Sequence, residues 1–156
     1  MTTENKNSKQ QRVQSEIIAL HKFLSGWLSG TLGKGEQVFD LGLRSRLAPG
    51  FSNIQPAGVF LTGEDLLAQV YAGHGKSPGF DIRIDNVRII DHHESTARIS
   101  AVYEEYQKNA RNSERNSNAR ISTVLFQESA HQNLTWLHIH ETWLPEVNHA
   151  PERFDF

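Results

Sequence analysis

The strongest constraint on this chain is the alternation of apolar and polar residues in its second half. The clearest stretch reads Asn-Leu-Thr-Trp-Leu-His-Ile-His-Glu-Thr-Trp-Leu, from Asn133 to Leu144. A period of two sends successive side chains to opposite faces of a strand. Such stretches begin at Phe80 and follow an amino-terminal half with helical spacing. That order predicts an α+β fold. A curved antiparallel sheet should fold over the N-terminal helices, an architecture that usually encloses a pocket.

A chain of 156 residues fits one domain. Its net charge of −2 offers no basic field to draw in nucleic acid or an anionic membrane. It has no cysteine, which excludes disulfides, thiolate nucleophiles and cysteine metal sites and suits a reducing compartment. The opening MTTENKNSKQQ lacks the apolar core of a signal peptide. No apolar run approaches the roughly 20 residues that span a bilayer. The chain therefore reads as cytoplasmic, with no nucleic-acid or membrane partner and no cofactor.

Residues 1–10 are polar and read as a disordered arm, 11–145 as a single domain and 146–156 as a C-terminal tail. Ile17, Leu20, Leu24 and Leu28 recur at helical spacing, widened by Ile18, Phe23 and Trp27, until Ser29-Gly30 and Gly33. Glu36 to Ser45 predicts a short second helix, Phe51 to Ile54 a short strand, and Pro56-Ala57-Gly58 a turn. Thr62 followed by Asp65 resembles a capping box, opening a third helix with Leu66, Leu67, Val70 and Tyr71 on its apolar face.

Ile82 and Ile84 share one parity, Val87 and Ile89 the other, so a β-bulge is predicted near Asp85-Asn86. Asp91 to Glu94 reads as a solvated turn. Strands are predicted at Thr96–Gln107, Ala119–Gln127 and Asn133–Leu144, with polar loops between them.

The order helix, helix, short strand, helix, four strands resembles the nuclear transport factor 2-like superfamily of cystatin-like folds, which includes SnoaL-like proteins. Phe51-Ser-Asn-Ile-Gln-Pro-Ala-Gly58 and Leu61-Thr-Gly63 look like that group's short strand, turn and third-helix start. Trp136-Leu-His-Ile-His140 is similar to its closing strand. The resemblance implies three N-terminal helices packed on a strongly curved, mixed but mainly antiparallel sheet, a cone whose concave face and first helix line a pocket suited to a small apolar or aromatic molecule. It also implies a homodimer through the convex face, here including Trp136, His138 and His140.

Oriented this way, the more apolar parity faces inward: Ile99, Ala101 and Tyr103, then Ile121, Thr123 and Leu125, then Leu137, Ile139 and Trp143. Trp27, Tyr103, Thr123 and Trp143 become candidate pocket residues. Glu105 and Glu141 share that parity and are the candidate catalytic carboxylates. Two acids in one cavity split each other's pKa. The plainer reading puts both at strand ends, near water or bonded to arginines.

Family chemistry does not transfer simply. Ketosteroid-isomerase-like members carry a base carboxylate just before the proline matched by Pro56, and this chain has Gln55 there. Their first-helix tyrosine has no counterpart, Trp27 being the nearest aromatic. The pocket arginines of the calmodulin-dependent kinase association domain fall on Tyr103, Thr123 and Trp143, although Arg120 is close by. SnoaL-like cyclases use a cavity acid–base residue, a role open to Glu141 or Glu105. His138 and His140 share a strand face, as metal-binding pairs do, but the third ligand that normally follows is missing. Cross-strand or dimer contacts suit them better, and no metal site is assigned. His21 and His74 read as helix-surface or helix-end residues.

Overall fold

The computed structural model describes residues 5–111 and 113–156. Its elements are helix α1 (Lys6–Ser29), helix α2 (Glu36–Gly42), strand β1 (Leu47–Ile54), strand β2 (Phe60–Thr62), helix α3 (Gly63–Ala72), and strands β3 (Asp81–His93), β4 (Arg98–Lys108), β5 (Asn118–Glu128) and β6 (Leu134–Trp143). The six strands form one sheet in the order β2-β1-β6-β5-β4-β3. β1 and β6 run parallel and the other neighbours antiparallel. The α+β architecture expected from the sequence is what the chain adopts. Among the described residues, no helix is long and apolar enough to cross a membrane.

α1 starts at Lys6, inside the segment expected to be a disordered arm. Tertiary partners explain the difference. Gln10 Nε2 donates to the Val87 carbonyl at 2.7 Å and Gln10 Oε1 accepts from the Ile89 N–H at 3.3 Å, tying this turn to β3. Residues 1–4 of that arm lie outside the described residues. The helix stops at Gly30, which takes the left-handed conformation (φ 84°) that costs a glycine nothing. Val13, Ile17, Leu20 and Trp27 are buried against the sheet and the other helices. At α3 the capping box forms in both directions: the Asp65 N–H donates to Thr62 Oγ1 at 3.1 Å and the Thr62 N–H to Asp65 Oδ2 at 3.3 Å.

The predicted bulge lies where the parity change placed it. Asp85 pairs with Glu104 and Arg88 with Val102, leaving Asn86 and Val87 opposite Tyr103, with Asn86 at φ 52°. Ile84 and Ile89 thereby reach the same packed face. β3 then continues to His93, with Asp91 paired to Ser100 and His92 to Ile99. The turn expected at Asp91 is strand instead, because β4 is long enough to pair with it.

Parity fails on β5. Tyr103 pairs with Ser122, Ala101 with Val124 and Ile99 with Phe126, so the even residues of β5 face the helices. Val124 and Phe126 are fully buried, whereas Thr123 is exposed and Ile121 and Leu125 are only half-buried on the outer face. β6 changes parity within itself. Leu125 pairs with His138 but Phe126 with Trp136, so Leu137 is the extra residue of a bulge. Trp136 therefore points inward with Ile139, Glu141 and Trp143. It is fully buried, and its Nε1 donates to Glu16 Oε1 at 2.9 Å.

The C-terminal segment is held against the sheet. Phe154 meets Tyr106 at 6.0 Å, and the Arg83 guanidinium lies 4.5 Å from the Tyr106 ring and 5.1 Å from that of Phe156. His149 Nε2 accepts the Ala119 N–H at 3.0 Å.

Candidate functional site

A cavity of about 470 Å³ opens between the concave sheet face, α1 and α3. Its walls on the helix side are mainly apolar, with Leu20, Leu24 and Leu28 of α1 and Leu66 and Val70 of α3, and carry the polar His21 and Gln69. The i, i+4, i+8 spacing of the α1 leucines puts them on one face. The sheet side carries most of the polar groups, beside the apolar Phe51, Ile82 and Ile139. β4 supplies Tyr103, Glu105 and Gln107, β5 supplies Arg120, β6 supplies Glu141 and Trp143, and β1 supplies Asn53.

These side chains form a linked network. His21 Nε2 lies 3.0 Å from Glu105 Oε1, and its Nδ1 donates to the Ile17 carbonyl at 2.7 Å. With acceptors at both ring nitrogens, His21 carries two protons. Gln107 Nε2 donates to Glu105 Oε2. Arg120 Nη1 lies 3.1 Å from Glu141 Oε1, while its Nη2 reaches Asn118 Oδ1 at 2.8 Å and Gln107 Oε1 at 3.3 Å. Asn53 Nδ2 donates to Glu141 Oε2 at 3.2 Å. The Arg120 guanidinium also lies 5.0 Å from the Trp143 ring centre.

The two carboxylates are driven apart. Burial favours the neutral form of Glu105, but the His21 charge and hydrogen bond, with Arg120 and Gln107, outweigh it and hold its pKa below the usual range. Burial lowers His21, and the Glu105 carboxylate more than reverses this, so the imidazole is raised above its ordinary 6.5. Glu141 is raised: burial exceeds the pull of Arg120, and the Glu105 charge adds to it. Glu105 is thus a fixed anion in an ion pair. Glu141 is the carboxyl more able to take and release a proton, and part of it remains accessible, with 11% of its side chain exposed.

Of the candidate residues, Tyr103, Glu105, Glu141 and Trp143 converge on this cavity. Tyr103 is wholly buried in the wall, 5.3 Å from the His21 ring, and its hydroxyl makes no well-formed hydrogen bond. Thr123 does not belong to the cavity, because β5 presents it to the outside. Trp27 is core: its Nε1 donates to the Val70 carbonyl at 2.8 Å, and its ring packs on Phe23, Phe39 and Tyr71. Trp136 is removed from the convex face for the reason given by the β6 bulge. His138 and His140 stay outside, their rings 6.4 Å apart, with His138 Nδ1 2.7 Å from Ser52 Oγ.

The sequence reading missed His21, Asn53, Gln107 and Arg120. His21 had a signal: Ile17, His21, Leu24 and Leu28 fall on one helical stripe, so the histidine had to be buried with its neighbours. Arg120 was hidden by the β5 parity error.

No family model matches the chain. Among curated proteins it is similar to the probable sucrose-phosphatase 3a of Arabidopsis thaliana, 27% identical over 149 residues. That alignment takes in 94% of this chain and 33% of the plant protein, so the chain spans about a third of the relative's length. Among solved structures, a nuclear transport factor 2-like protein of unknown function from Pseudomonas aeruginosa superposes with a TM-score of 0.75 at 27% identity, over 86% of this chain and 99% of that one. An uncharacterised cystatin-like protein from Caulobacter vibrioides superposes at 0.65 with 12% identity, over 90% and 93%. A nuclear transport factor 2-like protein from Cytophaga hutchinsonii superposes at 0.61 with 12% identity, over 91% and 100%. At 12% identity the likeness is one of fold. With its element order, its curved sheet and the Pseudomonas protein's closer match, the chain belongs to the nuclear transport factor 2-like superfamily.

Proposed function

We propose that this protein binds a small molecule inside the cone. The observation that carries the reading is a cavity with leucine walls on one side and a partly accessible Glu141–Arg120 pair on the other. Pockets of this size with a few convergent polar groups suit small ligands. The test is calorimetric titration with aromatic and amphipathic compounds, and with sucrose in view of the plant relative, on the wild type and on Leu66→Trp. Leu66 is a half-buried wall residue, so tryptophan there should fill space and weaken binding at least tenfold. Equal affinity in the two proteins rejects the cavity as the binding place.

A second reading is an acid–base enzyme of the SnoaL-like kind, favoured by the raised pKa of Glu141 beside a fixed anion. Glu141 would be the general base, with Glu105 and His21 positioning the network. Under this reading Glu141→Gln abolishes turnover with the fold intact. Under the binding reading there is no turnover to lose.

Self-association through the outer sheet face completes the proposal. The β5 parity places Ile121, Thr123 and Leu125 there beside His138 and His140, a more apolar surface than the sequence reading expected. Sedimentation should give the mass of a homodimer at micromolar concentration, and Thr123→Glu should give that of one chain. A wild-type mass equal to one chain rejects it.

A further inference from the structure

Each buried charged group of the cavity wall already has an internal counter-charge; Glu114, which also lines the cavity, is exposed. Glu105 faces His21 at 3.0 Å and Glu141 faces Arg120 at 3.1 Å. Arg120 spends further N–H groups on Asn118 and Gln107. At the buried polar end an anionic ligand would meet two carboxylates and a guanidinium with little donor capacity left, and a cationic one would have to compete with Arg120 or His21; the exposed Glu114 adds a third carboxylate against an anion. What the wall still offers is hydrogen bonding without net charge, from the amides Asn53 and Gln107 and the second lone pairs of the Glu141 oxygens. Trp143 lies two residues from Glu141 on the same strand face, half-buried, with its indole at the cavity. An aromatic plane next to acceptors and amides matches a ring with C–H bonds on its face and hydroxyls at its edge.

If the cavity is a ligand site as proposed, we infer that its polar end takes an uncharged, polyhydroxylated head group on an apolar body. The Trp143 indole stacks on the C–H face of the head, Glu141 accepts from its hydroxyls, and the body lies along Leu20, Leu24 and Leu28. The ligand class is a glycoside-like neutral amphiphile.

The test holds the body constant and varies the head. Octyl glucoside, octanoate and octylammonium are titrated calorimetrically into the wild-type protein, each below its micellar concentration. The glucoside should bind at least tenfold more tightly than either charged compound. Trp143→Leu should remove most of that preference and leave octanoate affinity within about twofold. Tighter binding of octanoate or octylammonium overturns the inference while leaving the cavity as a ligand site. So does a glucoside affinity that Trp143→Leu does not change. Absence of binding by all three overturns both. The head-group ranking is read on the wild type, so it holds even if the variant folds poorly.

Discussion

Glu105 and Arg120 are direct cross-strand partners, yet neither takes the other as its ion-pair partner: Glu105 turns to His21 of α1 and Arg120 to Glu141 of β6. The sheet's charges are thereby joined to the helix layer on one side and to the next strand on the other.

The His21–Glu105 pair should matter to stability in a pH-dependent way. Glu105's pKa is depressed, so its contribution is complete above the unfolded carboxyl value and is lost as pH falls through the folded one. His21's pKa is raised, so its contribution is complete below 6.5 and is lost as pH rises through the folded value. Glu105→Gln should cost about 3 kcal/mol in urea unfolding at pH 6, because it leaves a buried imidazole without its anion. The gap from wild type should narrow in strong acid and well above neutrality. A constant gap from pH 3 to 9 rejects the pairing.

Trp136 and His140 are four residues apart on β6 and should respond oppositely. Trp136 is fully buried and holds Glu16, so Trp136→Ala should cost about 3–5 kcal/mol. His140 is exposed, so His140→Ala should stay within about 0.5 kcal/mol. Chemical denaturation of dilute samples measures both, and equal effects contradict the β6 bulge.

Gly42 has no room for a side chain. A Cβ there overlaps the Phe23 ring, which is itself packed on Trp27 and Phe39. Gly42→Ala should destabilise by about 1–3 kcal/mol through overpacking. A neutral thermal unfolding midpoint counts against this packing.

The Tyr103 hydroxyl is buried without a well-formed hydrogen bond, and burial, then Glu105 and Glu141, hold its pKa well above 10. Removing an unsatisfied buried hydroxyl recovers its desolvation cost. Tyr103→Phe should therefore be neutral or more stable by about 1 kcal/mol in calorimetry. A loss above that size means the hydroxyl has a partner after all.

Local signals in the sequence determined the three helices, β1, the four long strands and their order, but not the short β2. The Thr62–Asp65 cap and the parity change at Asp85-Asn86 depend on neighbours within a few residues and formed as read; the α1 stripe formed around Ile17, Leu20, Phe23 and Trp27, with Ile18 exposed and His21 buried against expectation. Tyr103, Glu105, Glu141 and Trp143 came together because β4 and the end of β6 alternate as read. The faces of β5 and of early β6 were decided only by pairing. β5 carries apolar residues on both parities, Ile121 and Leu125 on one, Val124 and Phe126 on the other, so alternation cannot choose between them. The register against β4 chose the even set, and the bulge at Leu137 then turned Trp136 inward. Arg120 entered the cavity by the same choice, because a one-residue shift in register exchanges the two faces of a strand.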